Sequence, residues 1–212
     1  MTLAPPAERP ETPEPPERPR TQLWREIPVL LVLAFAIALL IKSFVAQAFY
    51  IPSESMVRTL MIGDRVVAEK LSYRIGEPAR GDIVVFEQQT GVTDQDKSLW
   101  SRVGDSVREL FGMPIAGKED LIKRVIAVEG DRVEGRDGGV YVNGRAIEEP
   151  YLDDDTITSD FALTTVPEDS VWVMGDNRGA SGDSRRFGPV PLDEIIGKAV
   201  IIVWPPSNIG AI

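Results

Sequence analysis

The chain has 212 residues, a formal net charge of -10, 43% hydrophobic residues, and neither histidine nor cysteine. That length accommodates one domain plus a tail, and that apolar share is enough to bury a core. The acidic balance offers no basic stripe for phosphates, so nucleic acid is not expected as a partner. Without cysteine there is no disulfide scaffold and no thiolate zinc site, and with histidine also missing neither a metal centre nor a cofactor is expected.

Residues 1–26 are rich in Pro, Glu and Arg, with little apolar content before Leu23, and read as a disordered tail. Ile27–Ile41 then carries no charge, with Trp24 and Arg25 before it and Lys42 after. As a helix, Trp24 to Lys42 would reach roughly 28 Å at about 1.5 Å per residue, close to a bilayer's hydrocarbon thickness. One transmembrane anchor is therefore expected over residues 27–46, with the lipid bilayer as a partner. Arg9, Arg18, Arg20 and Arg25 precede it, which favours a cytoplasmic N-terminus and a folded part on the extracytoplasmic side. A rival reading takes Ala46-Gln47-Ala48 as a cleavage site that frees a soluble protein. The long acidic region before the apolar run speaks against it.

From residue 47 the pattern becomes short β-like runs, each bounded by Gly, Pro or Asp: Arg65–Glu69, Asp82–Phe86, Leu121–Val128, Val171–Met174 and Ala199–Trp204. Asn143-Gly144 after alternating residues signals a hairpin. No helical pattern alternates with the runs, so a parallel α/β sheet is not expected. The fold class is mostly β, an antiparallel catalytic domain over 47–212 preceded by the transmembrane helix. Residues 88–118 interrupt the series. There Leu99, Trp100, Val103, Val107, Leu110 and Phe111 share one helical face, which either packs on the domain or lies on a membrane. Asp153-Asp154-Asp155 reads as a solvated loop rather than a site for a hard cation.

The chemistry begins at Ile51-Pro52-Ser53-Glu54-Ser55-Met56, just after the apolar segment. A serine hydroxyl needs a neighbouring base, and without histidine the Ser–His–Asp arrangement is excluded. A lysine, a carboxylate or a terminal amine is left. Lys123 lies in an apolar strand between Leu121-Ile122 and Val125-Ile126, where burial disfavours the ammonium and leaves a neutral amine able to take the proton. An edge-strand lysine reaching water would look similar in isolation.

Three segments stand together: Phe49 to Leu60 followed by Gly63-Asp64, Asp120 to Asp131, and Gly175-Asp176-Asn177-Arg178-Gly179-Ala180-Ser181-Gly182-Asp183-Ser184-Arg185. In order and in relation to the anchor they resemble the boxes of the bacterial type I signal peptidases, or leader peptidases, as does Gly81 with Asp82–Phe86. The resemblance runs from about Lys42 to Trp204. It implies a membrane-anchored serine endopeptidase that removes signal peptides from exported preproteins, cutting after small-x-small motifs. It implies Ser55 as nucleophile and Lys123 as base, with Ser53 and the Ser55 N–H binding the oxyanion. Ser181 would orient the lysine, and Asp183 with Arg185 would support the Ser181 loop. Phe49, Ile51, Met56, Leu60, Val66 and Ile122 match pocket positions, and the substrate would add a strand beside Asp120 to Lys123. Relatives also have a smaller β-rich cap, here about 131–170. For Asp176, Asn177 and Arg178 turn chemistry is as good an account as a direct role.

Two positions depart from the family pattern. Arg58 stands where proline usually pre-sets the turn after the nucleophile, and Glu129 stands where proline is common before Gly130-Asp131. Two rivals frame the reading. A self-cleaving repressor-type Ser–Lys protease would lack the apolar span and the Gly-Asp-Asn-Arg box, and an inactive membrane adaptor would keep the fold without turnover.

Overall fold

The computed structural model describes residues 23–89 and 118–212. Residues 1–22 of the tail and the helix expected over 99–111 lie outside the described residues, while residues 23–26, read as tail, are helical. The chain divides into a unit ending at Leu39 and a second unit of Leu40–Ile212. Helix α1 runs Leu23–Phe44, with Glu26 in its first turn, and leaves Val29, Leu31, Val32 and Phe35 exposed. Among the described residues no helix is long and apolar enough to cross a membrane, so the structure does not show the span expected over 27–46.

Twelve strands follow: β1 (Ala46–Tyr50), β2 (Arg65–Glu69), β3 (Ile83–Gln89), β4 (Lys118–Val128), β5 (Arg132–Arg136), β6 (Gly139–Val142), β7 (Arg145–Ala146), β8 (Phe161–Thr165), β9 (Ser170–Met174), β10 (Val190–Pro191), β11 (Ile195–Trp204) and β12 (Gly210–Ala211). An eight-stranded sheet has the order β1-β2-β11-β3-β4-β9-β10, with β12 alongside β11. A four-stranded sheet, β7-β6-β5-β8, forms the smaller β-rich part. Every pairing in both is antiparallel, so the mostly β class holds. The rival cleavage motif Ala46-Gln47-Ala48 lies in β1, in register with Glu69, Ala68 and Val67 of β2.

Alternation along the strands places the core on both faces of the main sheet. In β3, Ile83 and Val85 join one cluster with Phe49, Ile51, Met56, Leu60, Val66 and Ile122. Val84 and Phe86 join the other, with Val125, Val171, Val173 and Val190. A third cluster seats the small sheet on β4 and β9, through Val133, Val140 and Val142 against Ile126, Trp172 and Met174. Asn143 and Gly144 take φ 54° and 77° between β6 and β7, the two left-handed residues that a tight hairpin of the right-handed twist requires. Asp137-Gly138 makes the same turn between β5 and β6, at φ 53° and 78°.

Candidate active site

Ser55 sits on the long connection between β1 and β2. The neck of that connection is closed by backbone bonds from Ile51 N to Asp64 O and from Gly63 N to Ile51 O, both 2.9 Å. Asp64, only 1% exposed, accepts the Met61 N–H at 2.8 Å and the Asn208 side-chain amide at 2.9 Å. Below the turn Met56 and Leu60 are wholly buried, so the chain is anchored apolar side down and its hydroxyls are left above.

Lys123 arrives from a regular element. In β4 it stands opposite Val84 of β3, and the strand continues into pairing with β9 from Arg124 onward. Its side chain is 2% exposed and Ser55 is 5% exposed. The Lys123 amine donates to Ser55 Oγ at 2.8 Å and to the Ile122 carbonyl at 2.7 Å. Ser53 Oγ lies 3.4 Å from Ser55 Oγ and is open to solvent. A buried amine within hydrogen-bond reach of a serine hydroxyl is the geometry a nucleophile and its base require.

The segment after β9 binds the serine turn to the lysine strand. Asn177 donates its N–H to the Ser55 carbonyl at 3.0 Å and its side-chain amide to the Glu54 carbonyl at 3.1 Å. Asp176 accepts two bonds from the Arg124 guanidinium, at 2.9 and 2.7 Å, and also takes the Thr59 hydroxyl. One carboxylate thus joins the residue after Lys123 to the turn that carries Ser55. Arg178, 1% exposed at its side chain, pairs with Glu149 and donates to Thr158 Oγ1 at 2.8 Å and to the Gly175 carbonyl at 3.1 Å. Burial alone would pull the Arg178 guanidinium down, but the Glu149 carboxylate outweighs it and raises its pKa.

Sequence reading left Asp176, Asn177 and Arg178 between turn chemistry and a direct role. The structure shows turn bonds here, from Arg178 N to Asp176 O and from Ala180 N to Asn177 O at 3.1 Å each, and all three side chains also tie other segments together. The one signal available was the density of polar groups straight after a strand as apolar as Val171–Met174. Gly175 is the other residue that reading passed over. A Cβ there would fall inside 3.0 Å of both the Ser181 hydroxyl and the Ser55 carbonyl, so only glycine admits this approach.

The remaining expected residues divide. Asp183, with no exposed surface, accepts from Arg185 Nε and Nη2 at 2.8 Å each and from the Gly175 N–H at 3.0 Å. Burial would raise the Asp183 carboxyl, but the Arg185 guanidinium and the Gly175 N–H prevail and hold it below the usual carboxylate range. The Ser181 hydroxyl is buried against Gly175 and meets no partner at full hydrogen-bond geometry among the described residues, but it lies close enough to the Asp183 carboxylate to help hold that group low. Phe49, Ile51, Met56, Leu60, Val66 and Ile122 are brought into one cluster, all below 9% exposure. That cluster also takes in Ala68, Ile83, Val85, Ala199 and Ile202 of the main sheet. Asp120 lies apart from it, exposed on β4 opposite Glu87 of β3. Arg58 has φ 87°. Glu129 accepts the Asp169 N–H at 2.9 Å, a bond that suits its place in a turn. Asp153 of the acidic run pairs with Arg58, and among the described residues no group of His, Cys, Asp or Glu is arranged to hold a metal.

Comparison with known proteins adds the family. The family model described as signal peptidase, peptidase S26, matches residues 24–204. A signal peptidase I of Mycobacterium tuberculosis (strain ATCC 25618 / H37Rv) is 41% identical, covering 95% of this chain and 79% of its own. Thylakoidal processing peptidase 1 of Arabidopsis thaliana is 37% identical over 83% of this chain and 47% of its own. Among solved structures, a signal peptidase I from Enterococcus faecalis V583 is 30% identical over 58% of this chain and 97% of that one, with a TM-score of 0.40. The family match over most of the chain, and the identity to a relative covered for more than two thirds of its length, show that this chain belongs to the signal peptidase family, peptidase S26, and is a peptide-bond hydrolase.

Proposed function

We propose that the chain removes signal peptides from exported preproteins by a Ser55–Lys123 acyl-enzyme mechanism. The observation that carries this is the buried amine of Lys123 at 2.8 Å from Ser55 Oγ. Burial favours the neutral amine, and at this separation the neutral form accepts the hydroxyl proton across the same contact. Ser55 Oγ then bonds to the scissile carbonyl carbon as its proton passes to Lys123 Nζ. The oxyanion is met by the Ser55 N–H and the Ser53 hydroxyl; removing one such donor typically costs about 3 kcal/mol of barrier. Collapse breaks the C–N bond, and Lys123 returns the proton to the leaving amine. Water, deprotonated by Lys123, attacks the ester; the C–O bond to Ser55 breaks, Ser55 Oγ takes the proton back from Lys123, and the signal peptide is freed. Ser181, buried beside Gly175 without a partner at full hydrogen-bond geometry among the described residues, is suited to orient the amine.

The substrate is read as an extended chain ending in small-x-small. β3 pairs with β4 from Lys118 to Arg124, whereas β9 pairs with it only from Arg124 onward, so the β9 side of residues 120–122 is where a peptide would add its main-chain bonds. The apolar cluster under Ser55 would set the depth of the pockets, favouring small side chains by steric exclusion. The bilayer is the second proposed partner. The uncharged run Ile27–Ile41 and the exposed apolar side chains of α1 support an anchor, with the N-terminus cytoplasmic and the catalytic part on the other side.

The test is cleavage of a precursor whose signal ends in Ala-x-Ala, by full-length protein in lipid, from about pH 6 to 10. Cutting after the second alanine, rising with pH as the amine deprotonates and absent in Ser55→Ala, is expected. Cutting that persists in Ser55→Ala would reject the mechanism.

A further inference from the structure

Arg58, three residues past Ser55, holds a left-handed backbone at φ 87°. A side-chain-bearing residue adopts that region seldom, and keeps it only where the surroundings impose it. Proline, the residue that the family resemblance leads one to expect here, fixes φ near about -65° and cannot occupy this conformation. The turn is therefore held by something other than a ring.

The structure supplies a substitute in the connection between β7 and β8, where Asp153 pairs with the Arg58 guanidinium. Exposed ion pairs usually contribute little because two mobile side chains must be ordered. Here both side chains are about half exposed, 56% and 44%, but the Asp153 backbone is fixed. Asp153 lies in turns closed by bonds from Leu152 N to Glu149 O at 3.0 Å and from Thr156 N to Asp153 O at 2.9 Å. Glu149 is fixed by Arg178 and by the Tyr151 hydroxyl at 2.7 Å. The Arg124 guanidinium lies 3.9 Å from the centre of the Tyr151 ring and pairs with Asp176, which takes the hydroxyl of Thr59, next in the chain to Arg58. The contacts form a closed ring that begins and ends at the serine turn.

We propose that Arg58 is a positioning residue whose ion pair with Asp153 sets the turn after the nucleophile, so that the aim of Ser55 depends on the small sheet and on ionic strength. This rests on the reading of Ser55 as nucleophile. Turnover of the Ala-x-Ala precursor by full-length protein tests it, at about 50 mM and about 500 mM salt, where screening lengths differ severalfold. Asp153→Asn is expected to lower kcat several-fold at low salt with KM unchanged and to remove the salt response of the wild type. Arg58→Pro is expected to be less active than Arg58→Gly, and the swap of Arg58→Asp with Asp153→Arg to restore activity. Wild-type salt response in Asp153→Asn, or full activity in Arg58→Pro, would overturn the proposal. Hydrogen exchange of the amides of residues 56–60 reads the same contact without turnover, and so separates it from the reading of Ser55. Faster exchange in Asp153→Asn supports the ion pair, and unchanged exchange rejects it.

Discussion

The two halves of the site are built by different means. Lys123 stands inside β4, in register with β3 and one residue from the start of its pairing with β9, so backbone bonds along two neighbours fix its position. Ser55 stands on an irregular connection, and groups far away in sequence hold it: the Asn177 backbone N–H on its carbonyl, the Asp176 side chain on Thr59, the Asp153 side chain on Arg58. Ladder bonds are many and individually replaceable, whereas each polar tie on the turn is single. The lysine side should therefore tolerate change around it, and the serine side should fail at particular residues.

The largest effect tests the two groups themselves. Lys123→Met or Ser55→Ala is expected to lower kcat by at least about 10⁴-fold, by analogy with knockouts in other serine proteases. Lys118→Met, on the same strand, should leave it near wild type, and equal losses in both lysine variants would undo the assignment. Next is the tie between the halves. Asp176→Asn leaves the Arg124 guanidinium, 11% exposed, without its countercharge, and breaking a buried pair in this way costs about 3–5 kcal/mol. Urea unfolding reads this, and a loss under 1 kcal/mol would mean the halves are joined elsewhere.

Gly175→Ala comes third. Its Cβ would push on the Ser181 hydroxyl and the Ser55 carbonyl together, and a displacement of about 1 Å can cost roughly 100-fold in kcat. Rate and melting temperature measured together separate misaimed Ser55 from unfolding. The smallest effect concerns acid. The Asp183 carboxyl is held low by Arg185 and the Gly175 N–H against its burial, so below pH 4 the unfolded chain binds the extra proton first. Its contribution is complete above the ordinary aspartate value of about 3.9 and is lost as pH falls through the lower folded value. Asp183→Asn should flatten that acid limb of stability, and an unchanged limb would place the acid sensitivity elsewhere, with Asp131 beside Arg80 the next carboxyl to test.

Much of the frame was legible because it is local. Runs such as Arg65–Glu69 and Val171–Met174 alternate or stay apolar over strand length, and Asn143-Gly144 names its own turn. β1 was missed because Ala46–Tyr50 continues an apolar segment, and only its pairing with β2 makes it a strand. The residues expected at pocket positions were legible as apolar but not as one cluster, since that depends on Val85, Ala199 and Ile202 from other strands. The backbone of Arg58 was not legible. A one-letter departure from proline names no conformation, and only the structure gives the φ of 87°.

By itself the sequence determined which chemistry is available: with no histidine, a base for Ser55 had to be an amine or a carboxylate, and the apolar strand around Lys123 favoured the amine. It also determined strands such as β2, β3 and β9, because their patterning is written in adjacent residues. Only the tertiary structure decided how the two halves meet. Ser55 and Lys123 are 68 positions apart, Thr59 and Asp176 117, and Asn177 and Glu54 123. Their hydrogen bonds depend on distances and angles fixed by the packing of whole sheets, which no local pattern of residues specifies.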